Sequence, residues 1–162
     1  MPRWIVLMIA VALMAVPGGA AARAQGSADL KTFDFMLGEV QYRILLPQRA
    51  QLMARRVSDR FQVSLSTRMM RQMELQPAPG EGGKTYPRSQ TLTNGAVLTF
   101  EIIRDTSGYA GSGGPEETLE GRLQFGGHTL AVKCHDQAEW PGSPSPSWCL
   151  DYLQHLAVVT GR

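Results

Sequence analysis

Four residues near the C-terminus, Cys134, His135, Cys149 and His155, carry the side chains a zinc site would use. A cysteine beside a histidine could equally serve as a nucleophile and its base. The spacing argues against both. Neighbours on a strand point to opposite faces, which separates Cys134 from His135, and six residues along a helix place Cys149 and His155 on different sides. The simpler use of two core-facing cysteines is a bridge, and a bridged cysteine cannot attack. Asp151 and His155 could make an orienting dyad, although i,i+4 pairs are ordinary on a solvated helix face. Glu116, Glu117 and Glu120 cluster at the start of a strand, where solvated acids are common. None of the patterns G-x-S-x-G, H-E-x-x-H or S-x-x-K occurs. The stretch GYAGSGGP lacks the lysine and the strand–helix setting of a phosphate loop. No catalytic set, no metal site and no cofactor is expected, and a non-enzyme is favoured.

Recognition is the remaining chemistry. Trp140 and Trp148 bracket the segment WPGSPSPSW, whose prolines are Pro141, Pro144 and Pro146. A proline-restricted aromatic loop loses little ordering entropy on binding. Trp140, Pro141, Ser143 and Trp148 are therefore the candidate binding residues, with Trp140 at the centre. The competing reading has both indoles capping the core, because tryptophan is usually well buried.

Stepping outward, the element that positions this loop is the run Thr118–His135, which alternates apolar and polar residues on both sides of Gly126-Gly127. A Gly-Gly link between alternating runs is a hairpin signal. With Phe125 facing His128, Leu123 meets Leu130, Gly121 meets Val132 and Leu119 meets Cys134 on one face. The other face pairs Gln124 with Thr129, Arg122 with Ala131, and Glu120 with Lys133, an opposite-charge pair. A one-residue slip would bury the polar set. Cys149, Tyr152, Leu153, Leu156 and Ala157 form a helical stripe, with Ser145 as N-cap and Pro146 at N1. A Cys134–Cys149 disulfide would clamp that helix to the hairpin, contributing roughly 3 kcal/mol.

The compartment is read from the N-terminus. Arg3 precedes an apolar run, Trp4 to Val16, and then PGGAAARAQ with Ala22-Arg23-Ala24 in the cleavage slot. The run is too short to span a bilayer, which takes about 20 residues. Residues 1–24 are expected to be a cleaved signal peptide and 25–162 a single domain, periplasmic or secreted. The residue directly after the cleavage site is Gln25 and not a cysteine, and neither a lipid anchor nor stable membrane insertion is expected after cleavage. An oxidising address favours the disulfide. Losing Arg3 and Arg23 with the leader leaves 14 Lys+Arg against 14 Asp+Glu. A neutral chain is a poor general binder of nucleic acid or anionic membrane. Seven arginines between Arg43 and Arg71 face one acid, Asp59, a pattern read as a solvated face rather than a phosphate site.

For the remainder, Gln25 to Phe35 reads as an irregular lead-in, and Glu39 to Leu46 as a strand ended by Pro47. Ala50, Met53, Ala54 and Val57 suggest a short helix over 48–58. Period two from Phe61 to Leu75 suggests one long strand, or two strands bent near Ser66. Asn94-Gly95 marks a second hairpin, with Thr91 opposite Leu98, Arg88 opposite Glu101, and Leu98, Phe100 and Ile102 inward. These elements make an α+β domain: a mostly antiparallel sheet of about six strands, a short N-terminal helix, and a C-terminal helix clamped by one disulfide. The function expected is a binding module engaging another protein, as an inhibitor, immunity-type or envelope accessory factor. The alternative is a small-molecule carrier or small enzyme with a pocket between helices and sheet.

Overall fold

The computed structural model describes residues 29–53, 59–65, 70–78, 84–105, 114–138 and 143–159. The glycine-linked hairpin forms in the register read from its side-chain pattern. Strands β8 (Glu116–Phe125) and β9 (His128–Gln137) pair from Phe125↔His128 through Leu119↔Cys134 to Glu116↔Gln137. Gly126 and Gly127 have φ of 57° and 81°, the left-handed pair that a two-residue primed turn requires. Lys133 Nζ lies 3.4 Å from Glu120 Oε1 on the outer face.

β7 (Val97–Asp105) runs antiparallel to β8, and β6 (Arg88–Thr91) closes that side. On the other side β9 is followed by β5 (Arg71–Pro77), β4 (Phe61–Ser64) and β3 (Gln51–Leu52). The order of this seven-stranded sheet is β3-β4-β5-β9-β8-β7-β6. A second sheet, ordered β1-β2-β10, comprises β1 (Leu30–Leu37), β2 (Val40–Pro47) and β10 (Ala157–Val158). One apolar core joins them. It contains Phe33, Tyr42, Ile44 and Leu46 from the small sheet, and Val63, Met73, Leu98, Leu119, Leu123 and Val132 from the large one. The helix α1 (Trp148–Leu153) adds Trp148, Cys149 and Leu153 to it.

Mostly antiparallel sheet with one disulfide-held helix therefore stands, but the α+β layout needs correction. There are ten strands in two sheets among the described residues, and a sheet covers the core where helices were expected. The lead-in supplies β1, eight residues paired throughout with β2. The N-terminal helix is absent where residues 48–53 are described. Ala50 closes a turn on Pro47 O, and Gln51–Leu52 pair with Val63–Ser64. A segment this short gains little as an isolated helix, and pairing to β4 satisfies its backbone instead. Residues 54–58 lie outside the described set.

The long strand is a reversal. β4 and β5 fold back on each other with Phe61↔Leu75 and Val63↔Met73, and Leu65 N–H donates to Arg71 O. The Asn-Gly hairpin is one residue out of the expected register, pairing Gln90↔Leu98 and Arg88↔Phe100. Leu92 N–H bonds Ala96 O, which leaves Thr93-Asn94-Gly95 as a three-residue loop with Gly95 at φ 82°. The C-terminal helix is one short element. Its N-cap position is Ser147 rather than Ser145, and Ala157 lies in β10. No helix among the described residues is long and apolar enough to cross a membrane.

Candidate functional site

The loop after β9 is fixed where it leaves the sheet and where it returns. On leaving, Gln137 N–H donates to Met70 O at 2.8 Å and Ala138 N–H to Pro115 O at 3.1 Å. On returning, Ser145 N–H donates to Asp136 Oδ2 at 2.7 Å. The Cys134–Cys149 disulfide, with Cα atoms 6.2 Å apart, ties β9 to α1 behind it. Trp140 and Pro141 lie outside the described residues. Ser143 is exposed, Pro144 and Pro146 are buried, and Trp148 packs into the core with its ring 6.2 Å from that of Tyr152.

Asp136 is the residue that holds the return. Its place on β9 has the parity of Leu130, Val132 and Cys134, so its carboxylate points inward and is 4% exposed. A buried carboxylate must be paired. Arg71 Nε donates to Oδ1 at 3.1 Å from β5, and the loop backbone takes Oδ2. Beside it on β8, Glu117 is also buried and accepts from Arg104 Nε of β7 at 2.7 Å. The registers Arg71↔Asp136, Asp136↔Glu117 and Glu117↔Arg104 align these four groups in one row across four strands, two neighbouring acids with an arginine at each end. The two acids would repel alone, and each is neutralised by its flanking arginine. The glutamates grouped in sequence are thus divided: Glu117 faces inward, while Glu116 and Glu120 face out.

The far end of α1 is held by Asn94, whose Nδ2 donates to Leu153 O and Leu156 O, both at 3.0 Å. Those carbonyls belong to the last turn and the residues after it, which lack helical partners. Its Oδ1 accepts from Ala96 N–H at 3.2 Å. Asn94 is committed both to its turn and to the helix, so the turn is built as a three-residue loop.

On the outer face beside this loop, β4, β5, β9 and β8 line an open polar groove of about 550 Å³. Its charges satisfy one another. Arg60 meets Glu74 at 3.3 Å, Lys133 meets Glu120 at 3.4 Å, and His135 Nδ1 lies 3.3 Å from Thr118 Oγ1. Arg43 of the arginine-rich stretch makes two bonds to Asp34, at 2.7 and 2.9 Å, which hold that carboxyl below its usual range. The arginines whose pairs are described are spread along the chain, Arg43 on β2, Arg60 just before β4 and Arg71 on β5, each with its own acid rather than in one anion site.

The residues considered for chemistry are dispersed. Cys134 and Cys149 are bridged, His135 sits on the opposite face of β9 from Cys134, and Asp151 and His155 are exposed. Among the described residues no group of three His, Cys, Asp or Glu side chains could hold a metal. Sequence reasoning missed Asp136, Arg71, Arg104 and Asn94. The one signal available was an aspartate at a core-facing position of a strand whose register was already legible.

Residues 43–157 match the family model described as Tsi3, Type six secretion immunity 3 domain. The match contains both cysteines, the buried charge row and the whole 137–147 loop. No curated protein matches the chain.

Proposed function

From its place in the Type six secretion immunity 3 family, to which this chain belongs, we propose that the protein protects a bacterial cell by binding a type six secretion toxin and keeping it from acting. It is exported, loses residues 1–24, and meets the toxin in the periplasm. The observation that carries this reading is the family match over residues 43–157. The disulfide suits an oxidising compartment.

The surface that engages the toxin is the 137–147 loop, with Trp140, Pro141 and the exposed Ser143 as its contact residues and the buried Trp148 fixing its base. Its support is mechanical. Two backbone–backbone hydrogen bonds, the Ser145 N–H bond to the Asp136 carboxylate and a disulfide hold the two ends, so contact with a partner costs less ordering entropy than a free loop would. An aromatic side chain on such a base is the usual form of a binding hot spot.

The test has two steps. Purified protein should capture one toxin from cell extract as a 1:1 complex. Cells directing that toxin to the periplasm should survive when they produce the full chain and die when they produce residues 25–162 without a leader. Capture without protection, or protection by the leaderless form, would refute the reading.

A further inference from the structure

Four strands end the two sheets, and three of them are short. β3 and β10 have two residues each and β6 has four. Brevity is a common protection for a sheet edge. β1 lacks most of the usual protections, and its two charged residues are engaged within their own sheet, Lys31 over the Phe33 ring at 5.0 Å and Asp34 with Arg43. It is eight residues long, pairs continuously with β2 from Leu30↔Pro47 to Leu37↔Val40 without a bulge, and contains no proline. Among the described residues no strand is hydrogen-bonded to its other edge. Its outward row is Leu30, Thr32, Asp34 and Met36. Leu30 is 36% exposed and Met36 51%, two of the four large hydrophobic side chains that are exposed among the described residues. A long, regular edge with apolar residues at both ends of its solvent face is a template for another strand.

We propose that the occupant is a second copy of this chain, paired antiparallel through β1 about a two-fold axis with Phe33 facing its own copy. Keeping outward residues opposite outward residues allows the register to move only in steps of two. Centring on Thr32 sets Leu30 against the acid Asp34. Centring on Asp34 sets two carboxylates opposite each other, which is unfavourable. Centring on Phe33 sets Leu30 against the second copy's Met36, and Thr32 against its Asp34, each pair occurring twice by symmetry. The apolar ends then cover each other. Asp34 already accepts two bonds from Arg43 and presents a neutralised carboxylate to the threonine hydroxyl. The two three-stranded sheets become one of six strands, and the free edge is gone. This pairing is separate from toxin binding and is measured without toxin.

Sedimentation equilibrium of the purified chain alone is expected to give twice the chain mass at micromolar concentration. Met36→Lys, on an exposed side chain, should keep the thermal midpoint of the monomer and raise the dimer dissociation constant by roughly tenfold or more. The register is tested by Leu30→Cys with Met36→Cys. These positions are about 20 Å apart on one strand, so they can bridge only between copies. The double variant should give a covalent dimer that reductant dissolves, and neither single variant should. A monomer throughout the micromolar range, a dimer indifferent to Met36→Lys, or failure of the double variant to cross-link would overturn the proposal. Cross-linking by either single variant would overturn the register.

Discussion

Replacing both Cys134 and Cys149 by alanine isolates what the clamp contributes, because no thiol remains to react or bind metal. The bridge spans a sequence separation of 15. In the chain-entropy model a loop of that length constrains the unfolded chain by about 3 kcal/mol. Both residues are fully buried, so losing two sulfur atoms adds a packing cost, and about 3–4 kcal/mol is the expected total. Unfolding entropy near 2.1 cal/mol/K per residue gives a domain of about 140 residues roughly 0.3 kcal/mol/K, and the midpoint should fall by about 10 °C. Differential scanning calorimetry of the double variant and of wild type with and without reductant measures this. Reduced wild type should match the variant to within the packing cost. Alkylation of the untreated protein should label neither cysteine. A midpoint shift under about 3 °C, or labelling without reductant, would refute the argument that α1 depends on the bridge for its place on the sheet.

Gly121→Ala should destabilise the domain by about 3 kcal/mol, since a Cβ there would lie 2.4 Å from Thr99 O and 2.8 Å from Phe100 Cβ. Gly127→Ala meets no atom within 4 Å and is strained only by its φ of 81°, so about 1 kcal/mol is expected; equal midpoints for the two variants would contradict the close approach of β7 to β8. Asp136→Asn should cost about 2 kcal/mol or more in urea unfolding, because Arg71 and Ser145 N–H lose a charged acceptor. Trp140→Ala should leave the midpoint nearly unchanged and weaken the toxin complex by about 2 kcal/mol or more, measured by calorimetric titration; a stability loss of about 3–5 kcal/mol with unchanged affinity would place the indole in the core instead. Intact-mass measurement of periplasmic protein should find a chain beginning at Gln25 or within two residues of it, and retention of residues 1–24 would end the export argument.

The β8–β9 hairpin, the β2 strand and the Cys134–Cys149 pairing were legible in the sequence because each rests on local rules. Alternation fixes a strand's two faces, Gly126-Gly127 fixes the turn, and one wrong step in register would bury Glu120 and Lys133. The fold of β4 onto β5 was not legible. Phe61 pairs with Leu75 and Val63 with Met73, so the reversal keeps the inward residues at odd positions on both arms. A bent strand and a hairpin then read alike. Residues 48–53 were misread because a few apolar residues at helical spacing also suit a turn and a two-residue strand, and the choice depends on whether β4 lies alongside. Likewise, Asn94-Gly95 specified a turn but not its length, which was set by the helix carbonyls that Asn94 reaches about 60 residues later in the chain. The same holds for the buried charge row: Asp136 announced itself only as a carboxylate on an inward face. Its partners Arg71 and Ser145, and the neighbouring Glu117–Arg104 pair, come together through strand order, which non-local hydrogen bonding decides and local sequence pattern does not.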